Sequence, residues 1–339
     1  MITARNTNSM MPLAYDHVYT WGVRDYSRNG PVLTVREPVT LCYTKPMEKV
    51  NFCHVRDANP YFHFFESLWM LAGRQDVATV AHFVPRMADY SDDNVVFNAP
   101  YGYRIRQHWG QDQLKEVITH LQQEPQSRQA VVQIWDPRDL NKNTKDRACN
   151  MQLVFRIVEG SLNMTIFNRS NDAIWGGVSG ANITNLPIFQ EYVASYLNLP
   201  VGKVYVVSNN LHVYLENPKT QPLLDMYTGK HPPLFSPDEY AAGEVWPDPL
   251  ITDKEAFDSE LSSFMNQLHF AICNAHRLAE GSFNRNNIFP NVAVPMLASW
   301  TAHKQKDQIS ALNWAKEIEA LDWRLACINW LERRYNAKS

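Results

Sequence analysis

The sequence predicts an α+β fold, a twisted mixed sheet flanked by helices, with a helical elaboration at the C-terminal end. Three observations carry this reading. Strand-like runs at 31–52, 130–135, 151–158, 162–168 and 204–207 are interspersed with stretches of helical period. Prolines then crowd residues 218–249. Beyond them, 254–279 and 306–336 have helical character, the second stretch rich in Trp and Leu. We therefore expect one domain over 1–217, and over 218–339 a Pro-rich, meandering surface segment followed by C-terminal helices packed on that same domain.

Taken in order, 31–52 alternates apolar and polar positions, with Pro38 and Pro46 as breaks, and predicts two strands. Pro60 opens a helix carrying Phe64, Phe65, Leu68, Trp69 and Leu71. A second helix is expected over 77–90, ended by the polar run from Ser91 to Asp93, and a polar helix with one apolar stripe over 111–123. Three strands follow, and Glu159-Gly160 signals a tight turn between the last two. A long helix is expected over 185–197, and a strand over 204–207 leads to His212.

At 339 residues and 45% hydrophobic, the chain can bury a substantial core. Its formal net charge is −3, with acids and bases mixed along the chain. That excludes the basic stripe of a nucleic-acid binder, so an anionic ligand must be held by a few placed arginines. No stretch reaches the roughly 18 uncharged apolar residues of a membrane span. The first residues lack the apolar core of a secretory signal. The five cysteines, Cys42, Cys53, Cys149, Cys273 and Cys327, form no CxxC and no zinc-type Cys/His cluster. Free thiols, a cytoplasmic setting and no metal are the expectation.

Several residues carry chemistry. Cys149 stands in Asp-Arg-Ala-Cys-Asn just before a strand, with Arg147 two positions away and Arg169-Ser170 after the next strand. A cation near a thiol favours the nucleophilic thiolate. A lone cysteine is more often simple packing. Arg169 and Ser170 side by side can grip a phosphate with a fork of donors and a hydroxyl, where the bland alternative is an exposed turn. Glu66 is a carboxylate on an otherwise apolar helix face, so it is either paired structurally or held to handle protons. His212 and Tyr214, two apart after a strand, face the same way.

In this order and spacing the residues resemble the thymidylate synthase family, including the pyrimidine hydroxymethylases of large DNA viruses. The resemblance covers about residues 27–217 and is most specific from Cys149 to Tyr214: a cysteine before a hairpin, Arg-Ser-x-Asp, Asn-Ile, then His-x-Tyr. It implies a catalytic domain of that fold over 1–217. Cys149 would be the nucleophile that adds to C6 of a pyrimidine nucleotide. Glu66, in Glu-Ser-Leu-Trp, would manage protons through water, and Tyr101, in Tyr-Gly-Tyr, would help remove the C5 proton. Arg28, Arg169 and Ser170 would bind phosphate. Arg128 would reach the phosphate of the partner in a homodimer with shared active sites. Asn182 would read the base, His212 and Tyr214 would hold the sugar 3′-hydroxyl, and Asp172 would bind the pterin of 5,10-methylenetetrahydrofolate.

The departures from the synthase pattern bear on the product. Asn150 follows the nucleophile where synthases usually have histidine. Asn171 stands where they have cysteine, and Met87 near a tryptophan that packs on folate. Gln129 replaces the second interface arginine, two extra residues lie between Gly176 and Asn182, and the synthase closing tail has no copy here, Val292 to Pro295 being a poor echo. Admitting water where a synthase delivers hydride would give a hydroxymethyl group instead of a methyl group. The resemblance therefore points to dUMP hydroxymethylation, with thymidylate synthesis as the alternative and a dCMP hydroxymethylase or a silent relative behind it. Asn182 favours uracil, because a carboxamide donates to O4 and accepts from N3–H at once.

Overall fold

The structure, a computed structural model, describes residues 1–227, 238–274 and 288–336. Contacts divide the chain into two units assembled from separate stretches of sequence. The first is Met1–Ala58, Lys115–Trp135 and Cys149–Val245; the second is Asn59–Leu114, Asp136–Ala148 and Trp246–Ser339.

All ten described strands lie in the first unit: β1 (Ile2–Ala4), β2 (Gly22–Ser27), β3 (Gly30–Val35), β4 (Val39–Tyr43), β5 (Val131–Gln133), β6 (Asn150–Val158), β7 (Ser161–Asn168), β8 (Asn171–Asp172), β9 (Val201–Ser208) and β10 (Leu211–Tyr214). They form a six-stranded sheet, β1-β4-β9-β7-β6-β5, and a four-stranded sheet, β2-β3-β10-β8. The larger sheet is mixed: β1 runs parallel to β4 and β7 parallel to β9, while its other pairs are antiparallel. Alternation sorts its side chains as period two demands. Leu153, Phe155, Met164, Ile166, Val204 and Val206 are buried, and helix Pro187–Leu197 packs on β7 and β9. The intervening Val154, Thr165, Phe167, Tyr205 and Val207 are only half-buried. The α+β class is as the alternating runs implied.

Several elements differ from the sequence reading, each for a local reason. The helix expected over 77–90 stops at Phe83, because Pro85 cannot continue it, and Pro85–Tyr90 is a 3₁₀ turn instead. The helix expected over 185–197 is present and starts at Pro187, which takes its first turn, and a separate short helix, Ala181–Asn185, precedes it. The strand at 130–135 shortens to Val131–Gln133, because the amides of Ile134 and Trp135 both donate to the Met151 carbonyl, at 2.9 and 3.0 Å. The Pro-rich segment is not wholly a surface meander: helix Thr220–Tyr227 buries Leu223 and Leu224, and Tyr240 is buried on Glu239–Ala242. Residues 228–237 of that segment, and 275–279 of the expected helix after it, lie outside the described residues. The N-terminal elements went unread, although Asn6 and Ser9 make a reciprocal capping box that starts helix Thr7–Trp21.

The second unit is helical. Helix Pro60–Leu71 is buried at every position but Glu66, which marks it as a central helix with no solvent face. Around it pack Val77–Phe83, Lys254–Asn274, Val294–Lys304 and Leu321–Asn336. Rings make much of the contact: Phe65 stacks on Phe83 at 4.5 Å, Phe64 meets Trp323 edge-on at 5.2 Å, and Tyr61 touches Trp300 at 5.4 Å. Helix Tyr101–Arg106 also lies against the central helix, so closely that a Cβ on Gly102 would come within 1.8 Å of the Met70 carbonyl oxygen. Gly102→Ala must therefore push this helix away. Urea unfolding should show a loss on the order of 3 kcal/mol, and an unchanged midpoint would refute the close approach.

Candidate active site

The site is built where strands of the first unit end. The hairpin β6–β7 turns at Glu159 and Gly160, whose φ values of 49° and 74° lie in the left-handed region that a tight two-residue turn requires. Its register pairs Asn150 with Asn168. The residue before β6, Cys149, is thereby set beside the residue after β7, Arg169. The Arg169 amide donates to the Cys149 carbonyl at 2.9 Å, and its guanidinium Nη2 lies 3.7 Å from the Cys149 sulfur. The guanidinium also sits 5.7 Å from the Trp135 ring. Cys149 is half-buried, Cys42, Cys53 and Cys327 are buried, and Cys273 is exposed. Burial pushes the Cys327 thiol far above the usual thiol range, which keeps it protonated and inert.

Beyond Arg169 and the half-buried Ser170, the chain makes the short strand β8 and a doubled-back loop. Asn171 is buried, accepting from the Gly177 amide at 2.7 Å and donating to Ser208 Oγ at 2.8 Å. The Gly176 amide donates to the Asp172 carbonyl at 2.7 Å, and the Gly180 amide to the Gly176 carbonyl at 3.1 Å. Glycine is needed here, since a Cβ on Gly176 would lie 2.5 Å from Asn171 Oδ1. The loop delivers the chain to helix Ala181–Asn185, which presents Asn182 half-buried in its first turn.

Asp172 pairs in register with His212 of β10. It accepts from the Ile174 amide at 2.8 Å, and burial pushes its carboxyl up to about 6 against that bond and the charge of Arg56. Arg56 is a buried cation that the sequence reading missed. It donates to the Ile174 carbonyl at 2.9 Å and stacks 4.3 Å from the centre of the Trp175 ring. Nothing in Val-Arg-Asp signals that role, because its partners lie over a hundred positions away.

His212 and Tyr214 do face one way, their rings 5.0 Å apart and nearly perpendicular. His212 is buried, which lowers its pKa below the ordinary imidazole value, with the Asn210 backbone opposing in part. Its Nδ1 has no hydrogen-bond partner among the described residues. The Tyr214 hydroxyl accepts from Asn29 Nδ2 at 3.4 Å. Asn29 and the exposed Arg28 form the tip of the β2–β3 turn, closed by Ser27 Oγ donating to the Gly30 carbonyl at 2.9 Å, with Gly30 at φ 106°. Arg128 is elsewhere in this unit. It is exposed just before β5, the edge strand of the six-stranded sheet, with Gln129 beside it.

The remaining candidates belong to the second unit. Glu66 is the half-buried position of the central helix, Tyr101 is the first residue of helix Tyr101–Arg106, and Met87 is half-buried on the Pro85–Tyr90 turn. Arg147, also in this unit, donates to the Lys142 carbonyl at 2.7 Å. Among the described residues no group of three or more His, Cys, Asp or Glu side chains is arranged to hold a metal, and no helix is long and apolar enough to cross a membrane.

Comparison with known proteins finds one family and several relatives. Residues 16–234 match the family described as thymidylate synthase. A deoxyuridylate hydroxymethyltransferase of Pseudomonas phage M6 is 41% identical, over 98% of this chain and 94% of its own length. A second deoxyuridylate hydroxymethyltransferase, of Bacillus phage SP01, is 39% identical over 56% of this chain and 54% of its own length. A putative thymidylate synthase of Methanothermobacter marburgensis is 33% identical over 38% of the chain and 56% of its own length.

The raised carboxyl of Asp172 makes stability depend on pH. Between the ordinary carboxylate value and about 6, the folded chain keeps a proton that the unfolded chain has released. The stabilisation is therefore complete at low pH and lost as pH rises through about 6. Asp172→Asn should remove this component, so that the variant gains on wild type in unfolding experiments as pH goes from 4 to 7. Parallel stability–pH curves would show that the carboxyl titrates normally.

Proposed function

The chain belongs to the thymidylate synthase family, and from that premise we propose that it is a deoxyuridylate hydroxymethyltransferase, converting dUMP to 5-hydroxymethyl-dUMP. The observation that carries this is the near full-length likeness to the phage M6 protein, set beside a thiol already in contact with a guanidinium. Methylenetetrahydrofolate, when bound, supplies the one-carbon unit. The first unit fits such a ligand: the Asp172 carboxylate and the half-exposed Trp175 ring stand on one loop, which suits a flat heterocycle rich in N–H donors.

The residues divide the work as follows. Arg169 stabilises the Cys149 thiolate, whose sulfur adds to C6 of the pyrimidine and makes C5 nucleophilic. Tyr101 assists loss of the C5 proton, and Glu66 holds the water that carries protons. Once the one-carbon unit has passed to C5, with its bond to the folate nitrogen broken and tetrahydrofolate as the leaving group, water would add to it, forming a C–O bond, and the sulfur would leave C6 as thiolate. Ser170, Arg169 and Arg28 grip the phosphate, and His212 and Tyr214 take the sugar 3′-hydroxyl. Asn182 donates to O4 and accepts from N3–H, which selects uracil over cytosine. Asp172 and Met87 bind the folate. The setting we assign is the cytoplasm of a phage-infected bacterium, matching the phage origin of the M6 and SP01 relatives.

One experiment separates this reading from thymidylate synthesis. Reaction in ¹⁸O-water with dUMP and dCMP offered together should label hydroxymethyl-dUMP, leave dCMP untouched and form no stoichiometric dihydrofolate. Unlabelled dTMP with one dihydrofolate per turnover would make the chain a synthase instead.

We also propose a homodimer formed through the half-buried face of the six-stranded sheet. Its supporting feature is an apolar strip, Val131, Val154, Phe167, Tyr205 and Val207, that stays partly open to water on one side of an otherwise buried sheet. Arg128 stands at its edge, exposed just before β5, and would serve a partner's phosphate. Inactive Arg128→Ala and Cys149→Ser subunits, once mixed, should recover part of the activity, since one hybrid site then holds both native residues. Verified heterodimers that stay inactive would refute the shared site.

A further inference from the structure

Cys149 and Arg169 rest on a row of buried polar side chains that crosses three strand ends. Asn150 opens β6, Asn168 closes β7 and Ser208 closes β9, and the strand registers place them side by side. Their exposures are 0%, 2% and 0%. The Asn168 amide donates to Asn150 Oδ1, and Ser208 Oγ accepts from Asn171, which holds the loop at Gly177. Asn150 Nδ2 and Asn168 Oδ1 are buried without a hydrogen-bond partner among the described residues.

A β-bulge creates this row. The pairing of β6 with β7 slips between Asn150 and Gln152, leaving Met151 as an extra residue. Regular alternation from the buried Leu153 and Phe155 would put Asn150 on the half-exposed face with Gln152 and Val154. The bulge turns it inward instead. It is held there by the two amides, from Ile134 and Trp135, that converge on the Met151 carbonyl. An amide pair with two orphaned atoms is a poor choice for the fold alone, because an apolar pair of the same size leaves no polar atom unsatisfied. What the amide pair supplies is direction: one hydrogen bond fixes the strand ends whose next residues are Cys149 and Arg169.

We infer that Asn150 and Asn168 are positioning residues for the covalent step, clasping the two strand ends so that the Arg169 guanidinium stays against the Cys149 sulfur. The inference rests on Cys149 being the nucleophile. Its test reads the thiol directly, so it fails or succeeds whatever the substrate proves to be.

The test is alkylation by iodoacetamide at neutral pH, in which a thiolate displaces iodide, followed by peptide mass analysis of each cysteine. In Asn150→Leu and Asn168→Leu, Cys149 should react about tenfold more slowly than in wild type. The exposed Cys273 should react at the same rate, and the melting temperature should be unchanged or raised. The turnover number should fall with the Michaelis constant for nucleotide little altered. A purely structural clasp predicts the reverse, a lower melting temperature and an unaltered Cys149 rate, and would overturn the inference. If the leucine variants do not fold, Asn150→Ala removes the amide without added bulk, and an unaltered Cys149 rate there would overturn it equally.

Discussion

The contact between the Arg169 guanidinium and the Cys149 sulfur is the constraint around which the first unit is organised. It depends on a register, since one residue of slip in β6 against β7 would send the Cys149 thiol and the Arg169 guanidinium to different places. Three features fix that register. The turn at Glu159-Gly160 sets it from one end, the apolar alternation of Leu153, Phe155, Met164 and Ile166 sets it along the length, and the bulge at Met151 resets it just before the site. Most of the hairpin's length therefore serves the fold, and the start of β6 and the end of β7 set the contact between Cys149 and Arg169.

Charge placement follows the same economy. Among the described residues the other buried cations stand against anions: Lys49 with Glu191 at 2.6 Å in the first unit, Arg104 with Asp139 at 2.5 Å in the second. Such pairs specify geometry more than they add stability. Asp172 is treated differently. Arg56 is near enough for its charge to act on the carboxyl, yet the guanidinium donates to the Ile174 carbonyl and stacks on Trp175. With its cation engaged elsewhere, the carboxyl is left in low dielectric, and burial pushes it up to about 6. A carboxylate held this way is ready to accept hydrogen bonds from a ligand, which a tight ion pair would prevent.

What could be read from the sequence was what local pattern controls. The strands of the hairpin, the turn between them and the shared face of His212 and Tyr214 all follow from period two and two-residue turn chemistry. Proline marks one boundary that the apolar pattern hides: Pro85 ends a helix that the pattern alone would continue. Arg56 was invisible because its partners at 174 and 175 are tertiary neighbours, and so was the inward turn of Asn150, because alternation places that side chain on the opposite face. The first twenty-seven residues form β1, a helix and β2. The helix buries Met10, Met11, Ala14, Tyr15 and Val18 at helical spacing, and the two strands are fixed by pairing with β4 and β3.

Asn171 ties these threads together. In the sequence it stands out as a departure from the synthase pattern, and that invites the idea that it touches the reacting groups. In the structure its side chain is committed to the Gly177 amide and Ser208 Oγ, and it is buried. Its amide has little left to offer a ligand. Any influence on the product must act through the loop it anchors, which carries Asp172 and Trp175 and leads into Asn182. Admitting a water molecule to a reactive carbon is a matter of shape at that carbon. A buried asparagine that dictates the course of a loop can set that shape without contacting the substrate.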